Sequence, residues 1–79
     1  MKPRIPLFNA TCGGGIEVHA DEGGPVFIDG EETNLKKFND DYFEASRHGT
    51  TISIAFKPDG SLSLSFTGPN RANGICTLK

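Results

Sequence analysis

The sequence predicts a small all-β domain, an antiparallel barrel or compact sandwich of six to eight short strands. Three observations carry this. Turn-forming clusters recur at short intervals: Gly13-Gly14-Gly15, Asp21-Glu22-Gly23-Gly24, Asp29-Gly30, Asn39-Asp40-Asp41, His48-Gly49, Pro58-Asp59-Gly60 and Gly68-Pro69-Asn70. Short segments between evenly spaced turns are the pattern of a sandwich or barrel. Ten glycines and five prolines fill 15 of 79 positions, above the roughly 12% of an average protein, and most of them lie in those clusters. Finally, residues 50–67 alternate apolar and polar side chains along two runs joined by Pro58-Asp59-Gly60.

Each element follows from its local pattern. Ile5 to Phe8 reads as a first strand, confined to a sheet edge because proline cannot donate to a ladder. Ile16, Val18 and Ala20 alternate with Glu17 and His19, a half-buried strand. Val26 and Ile28 follow Pro25 and stop at Asp29-Gly30. Ile52, Ile54 and Phe56 form one row, and Leu62, Leu64 and Phe66 another, opposite a row of Ser53, Ser61, Ser63 and Ser65. Successive strand residues point to opposite faces, so this hairpin buries six large apolar side chains and solvates its serines. Ile75 to Leu78 is the last strand, preceded by a polar loop, Asn70 to Gly74, from which Arg71 projects.

Residues 34–47 carry two patterns at once. Leu35, Phe38, Tyr42 and Ala45 recur at spacings of three, four and three, one face of a helix, so the alternative fold is α+β with a single helix at about 34–47. Asn39, Asp40 and Asp41 are mediocre helix formers in mid-segment, and the rhythm of the turns favours two strands there instead.

The chain is one domain, 1–79. A core this small rarely supplies more than about 3–5 kcal/mol, so a covalent staple would matter. Cys12 and Cys76 are either that staple, closing nearly the whole chain into one loop, or two free buried thiols. Ile5-Pro6-Leu7-Phe8 is too short for the apolar stretch of a signal peptide. A periplasmic or secreted location is expected if the cysteines are bridged, a cytoplasmic one if Met1 is the native start. No apolar run approaches the 18 residues of a spanning helix.

The net charge of −2 conceals an uneven distribution. Residues 17–44 hold nine acids, Glu17, Asp21, Glu22, Asp29, Glu31, Glu32, Asp40, Asp41 and Glu44, against Lys36 and Lys37. The remainder of the chain is net basic. An acidic segment steers basic partners, and direct nucleic-acid binding is not expected of such a chain. Asp40, Asp41, Tyr42 and Glu44, an aromatic residue among carboxylates, are the candidate partner contacts.

Patterns for other chemistry are missing. Asp29-Gly30-Glu31-Glu32 and Pro58-Asp59-Gly60-Ser61 lack the ligand series of a calcium loop. His19, His48, Cys12 and Cys76 have no zinc-type spacing. Gly13-Gly14-Gly15 is not followed by the Lys-Ser/Thr of a phosphate loop. No cofactor and no catalytic residue is assigned. A small hydrolase or metal enzyme would need His19 or His48 beside carboxylates in a pocket.

The ends of the chain, Cys12-Gly13-Gly14-Gly15-Ile16 and Ile75-Cys76-Thr77-Leu78, with short strands between, resemble the layout of the membrane-bound inhibitors of c-type lysozyme. The resemblance implies a small envelope β-barrel with a Cys12–Cys76 disulfide. The inhibitory loop of that family carries Ser-Gly-x-x-Tyr, which the corresponding stretch, residues 41–49, lacks. The expected function is a non-enzymatic protein-binding module, an inhibitor presenting an acidic surface to a basic partner. The alternative is a cytoplasmic phage- or plasmid-type inhibitor that mimics nucleic acid.

Overall fold

A computed structural model describes residues 5–69 and 72–79; Met1 to Arg4, Asn70 and Arg71 lie outside the described residues, and with them the sequence reading of an Arg71 projection. The described chain is all-β. Its strands are β1 (Phe8–Cys12), β2 (Ile16–Ala20), β3 (Val26–Ile28), β4 (Glu31–Glu32), β5 (Asn34–Asn39), β6 (Tyr42–Arg47), β7 (Thr50–Phe56), β8 (Leu62–Thr67), β9 (Asn73–Ile75) and β10 (Thr77–Leu78), with one 3-10 turn at Gly13–Gly15. The count exceeds eight because two-residue β4 and β10 close the edges of the first sheet. No described helix is long and apolar enough to cross a membrane.

Two five-stranded antiparallel sheets form, ordered β10-β1-β2-β3-β4 and β5-β6-β7-β8-β9. Every strand pairs with its neighbour in sequence except at two corners, and β10 returns to pair with β1. The topology is therefore an up-and-down meander folded over on itself. The chain crosses between sheets at Thr33 and again at Cys76, where the expected last strand is divided. Thr33 is buried, and both its amide, at 2.9 Å, and its hydroxyl, at 2.7 Å, donate to the Val26 carbonyl. At the other corner the Cys76 amide donates to the Leu64 carbonyl at 2.9 Å.

Two hairpins turn on dipeptides that the sequence marks. Asp29 and Gly30 have φ of 51° and 83°, and His48 and Gly49 have 50° and 80°. Two positive values in a two-residue loop are the signature of a type I′ turn, whose twist matches that of paired strands. The 50–67 hairpin has the expected register, Ile52 opposite Phe66, Ile54 opposite Leu64, and Phe56 opposite Leu62. Its inner row joins Phe8, Ala10, Val18, Ala20, Val26 and Ile28 of the first sheet in a single core.

Residues 34–47 form the β5–β6 hairpin, with Asp40-Asp41 as its turn, so the two strands that the turn rhythm favours are present and the helix alternative is not. Two local expectations are corrected. The first strand begins at Phe8, not Ile5. Pro6 has no amide to donate, and Ile5 is buried instead while its carbonyl accepts the Gly23 amide at 2.6 Å. Phe56 and Leu62, at the turn end of the main hairpin, are only half-buried.

Cys12 and Cys76 are joined by a disulfide across 64 positions. Beside it, Phe66 packs against two glycines. A Cβ on Gly74 would meet its ring at 2.8 Å, and one on Gly13 at 3.4 Å. Gly74 is cross-strand to Phe66, so the aromatic ring occupies the space a side chain there would take.

Candidate functional site

The four residues singled out from sequence converge on one end of the second sheet. Asp40 and Asp41 form the exposed β5–β6 turn. The Asn39 side-chain oxygen caps it, accepting the Asp41 amide at 2.7 Å. Tyr42 and Glu44 lie on the outer face of β6, while Phe43 between them points inward and is buried. The Tyr42 hydroxyl donates to Glu44 Oε2 at 2.7 Å and lies 3.2 Å from Ser53 Oγ on β7. Its ring is therefore pinned along the sheet.

Sequence reasoning missed Phe38. It is 56% exposed, and its ring centroid lies 5.6 Å from that of Tyr42, tilted by 44°. Phe38 is the extra residue at a β-bulge between Lys37 and Asn39, beside the Asn39–Tyr42 pair. The spacing of four between Phe38 and Tyr42 was the signal, and it fits both a helix face and two strands joined by a two-residue turn.

Below the turn a cleft of about 360 Å³ opens, lined by Pro6, Asp41, Phe56, Lys57, Pro58, Gly60 and Leu62. The Asp41 carbonyl accepts the Phe56 amide at 2.8 Å, which fixes the turn to the end of β7. Phe56 in turn meets Phe43 edge-on, with centroids 6.0 Å apart. Asp59, in the β7–β8 turn, is held below the usual aspartate range. The Ser61 hydroxyl and amide hydrogen-bond to it, and Lys57 adds a smaller favourable field.

The acidic segment is not one surface. Glu17, Asp21, Glu22, Asp29, Glu31 and Glu32 belong to the first sheet and its turns, whereas Asp40, Asp41 and Glu44 belong to the second. Several acids are also paired with basic side chains, from outside the segment or within it. Glu17 pairs with Lys79, Glu31 with Arg47 at 3.0 Å, and Asp40 with Lys37 at 3.0 Å. Among the described residues, the Asp41 carboxylate has no ion pair.

These pairs predict acid sensitivity. Glu17 is held below the usual glutamate range chiefly by hydrogen bonds from Lys79 and then Thr11, and Glu31 by the Arg47 side chain. A carboxyl group lowered on folding stabilises above its unfolded pKa, and that contribution is lost as pH falls through the folded value. The urea midpoint is expected to be steady above about pH 4.5 and to fall below it. In a Lys79→Met/Arg47→Met variant the acid limb should flatten. Added salt should act in the same direction, because these groups are exposed.

The histidines stand elsewhere. His19, on the outer face of β2, has Nδ1 at 2.8 Å from Asn9 Oδ1 and Nε2 at 2.9 Å from Asp21 Oδ1. His48 occupies the β6–β7 turn, and neither histidine lines the cleft. Among the described residues, no group of three or more His, Cys, Asp or Glu side chains is placed to hold a metal ion. No family model, curated protein or solved structure matches the chain.

Proposed function

We propose that the chain is a non-enzymatic protein-binding module, inhibitor-like in build. It engages a basic partner with Asp40, Asp41, Tyr42 and Glu44, and with Phe38, which the sequence did not nominate. The carrying observation is the exposed Phe38 ring against a pinned Tyr42 beside the unpaired Asp41. An aromatic anchor of fixed orientation, rimmed by charge, has the make-up of an interface hot spot. The Cys12–Cys76 bridge suits an oxidising compartment, so extracytoplasmic proteins are the partners to try first. A c-type lysozyme belongs in that panel because of the layout shared with its inhibitors.

Affinity capture from source-cell lysate at two salt concentrations tests the reading, with wild type, Phe38→Ser and Asp40→Lys/Asp41→Lys as baits. Wild type should retain a basic protein at low salt and release most of it at high salt. Phe38→Ser should lose roughly 30-fold in affinity, the scale of a hot-spot truncation, and the charge-reversed bait should capture nothing of that partner. Equal capture by all three baits would defeat the proposal.

A further inference from the structure

We infer that the cleft beside Asp41 receives an arginine side chain of the partner, an assignment that rests on the protein-binding reading and specifies the chemistry it requires. Pro6, Phe56, Pro58 and Leu62 give the cleft apolar walls, and Asp41, whose carboxylate has no ion pair among the described residues, lines it as well. An arginine side chain suits both. Its methylenes cover apolar walls, its planar guanidinium stacks on an aromatic ring, and its paired N–H groups fit a carboxylate in bidentate fashion. A strongly hydrated lysine ammonium would leave the ring and the fork unused.

Lys57 also lines the cleft and sets the sign of a second test. Its charge is partly answered by Asp59, whose carboxyl it stabilises. Asp40 is paired to Lys37 and Glu44 is bonded to the Tyr42 hydroxyl on the outer face of β6, so the acid that lines the cleft is Asp41. The cleft therefore favours a cation, and Lys57 weakens that preference without reversing it.

The probe is N-acetyl-arginine methylamide, titrated into the intact, disulfide-bonded protein and followed by amide chemical shifts. N-acetyl-norleucine methylamide and N-acetyl-glutamate methylamide serve as comparators. Saturable shifts at the amides of Asp41, Lys57 and Gly60 are expected with arginine and not with glutamate. Asp41→Asn should weaken arginine binding about fivefold, the upper range for an exposed pair, while Lys57→Gln should tighten it. Both side chains are exposed, so both variants should keep the wild-type spectrum elsewhere.

The assignment is overturned if arginine produces no saturable shift, if norleucine binds as tightly, or if Asp41→Asn and Lys57→Gln change arginine binding in the same direction. It fails separately from the broader reading. Partner capture lost by Phe38→Ser but unchanged in Asp41→Asn leaves a protein-binding face without an arginine site. Arginine binding by a protein that captures no partner leaves the site without the proposed function.

Discussion

Replacing both Cys12 and Cys76 by alanine is expected to lower the stability of the domain by about 4 kcal/mol, the loop-closure value for a bridge enclosing nearly the whole chain. The bridge spans 64 positions, and the unfolded chain it constrains is otherwise almost free. A core of this size rarely contributes more than about 3–5 kcal/mol, so the variant should be substantially unfolded at 37 °C. Alanine is the informative substitution. Both cysteines are buried, at 3% and 6% exposure, and serine would add the cost of an unpaired hydroxyl. Chemical denaturation of the oxidised wild type against the double variant measures the effect directly. Reduction of the wild type should move its midpoint to that of the variant. A double variant within 1 kcal/mol of wild type would mean that the corner where β9 passes into β10 is held by its backbone pairing alone.

That corner also shows how far the sequence could be read. The two cysteines were visible, as was the possibility of closing the chain with them, but not that Phe66 would lie against Gly13 and Gly74 beside the bridge. This contact depends on the register of β8 with β9, which no local pattern encodes. The register of the 50–67 hairpin was legible, though not the partial exposure of Phe56 and Leu62 at its turn end. Its strict period of two and its Pro58-Asp59-Gly60 turn leave one way to bury Ile52, Ile54, Leu64 and Phe66 together. The β5–β6 hairpin was legible only as a choice between two elements. Residues three apart on a strand face opposite sides, so inward Leu35 and Ala45, which are paired across the strands, and outward Phe38 and Tyr42, separated by the turn, fall at the same spacings of three, four and three as one helix face.

The candidate site divides in the same manner. Asp40, Asp41, Tyr42 and Glu44 fall within five successive positions, and a turn rich in acids beside an aromatic residue can be recognised locally. The walls of the cleft come from Pro6, Phe56, Pro58 and Leu62, which only the meander brings to Asp41. Charge was the least legible feature. The counting of segment 17–44 assumed that its acids faced solvent together, whereas Lys79 reaches Glu17 across 62 positions and Arg47 reaches Glu31 across 16. Net charge by segment describes a surface only when the segment is a surface, and here it spans two sheets.

Ile54→Ala is expected to cost 2–5 kcal/mol, the range for deleting a buried aliphatic side chain without full collapse of the cavity. Ile54 is fully buried on the middle strand of the second sheet, between Phe43 on β6 and Leu64 on β8. Neighbours on paired strands cannot close over the gap without breaking register, so the cost should fall in the upper half of that range. Ile54→Val, which removes one methylene, should cost only about 0.5–1.5 kcal/mol. Ser63→Ala, on the outer face of the adjoining strand, should stay within about 0.5 kcal/mol. Denaturant midpoints of the three variants, all with the disulfide intact, test the one-sided burial on which the fold rests. The Ile54 variant should also perturb the proposed binding end, because Phe43 packs edge-on against Phe56 in the wall of the cleft. If Ser63→Ala proved as costly as Ile54→Ala, the outer face would itself be packed, and the surface assigned to a partner would have to lie elsewhere.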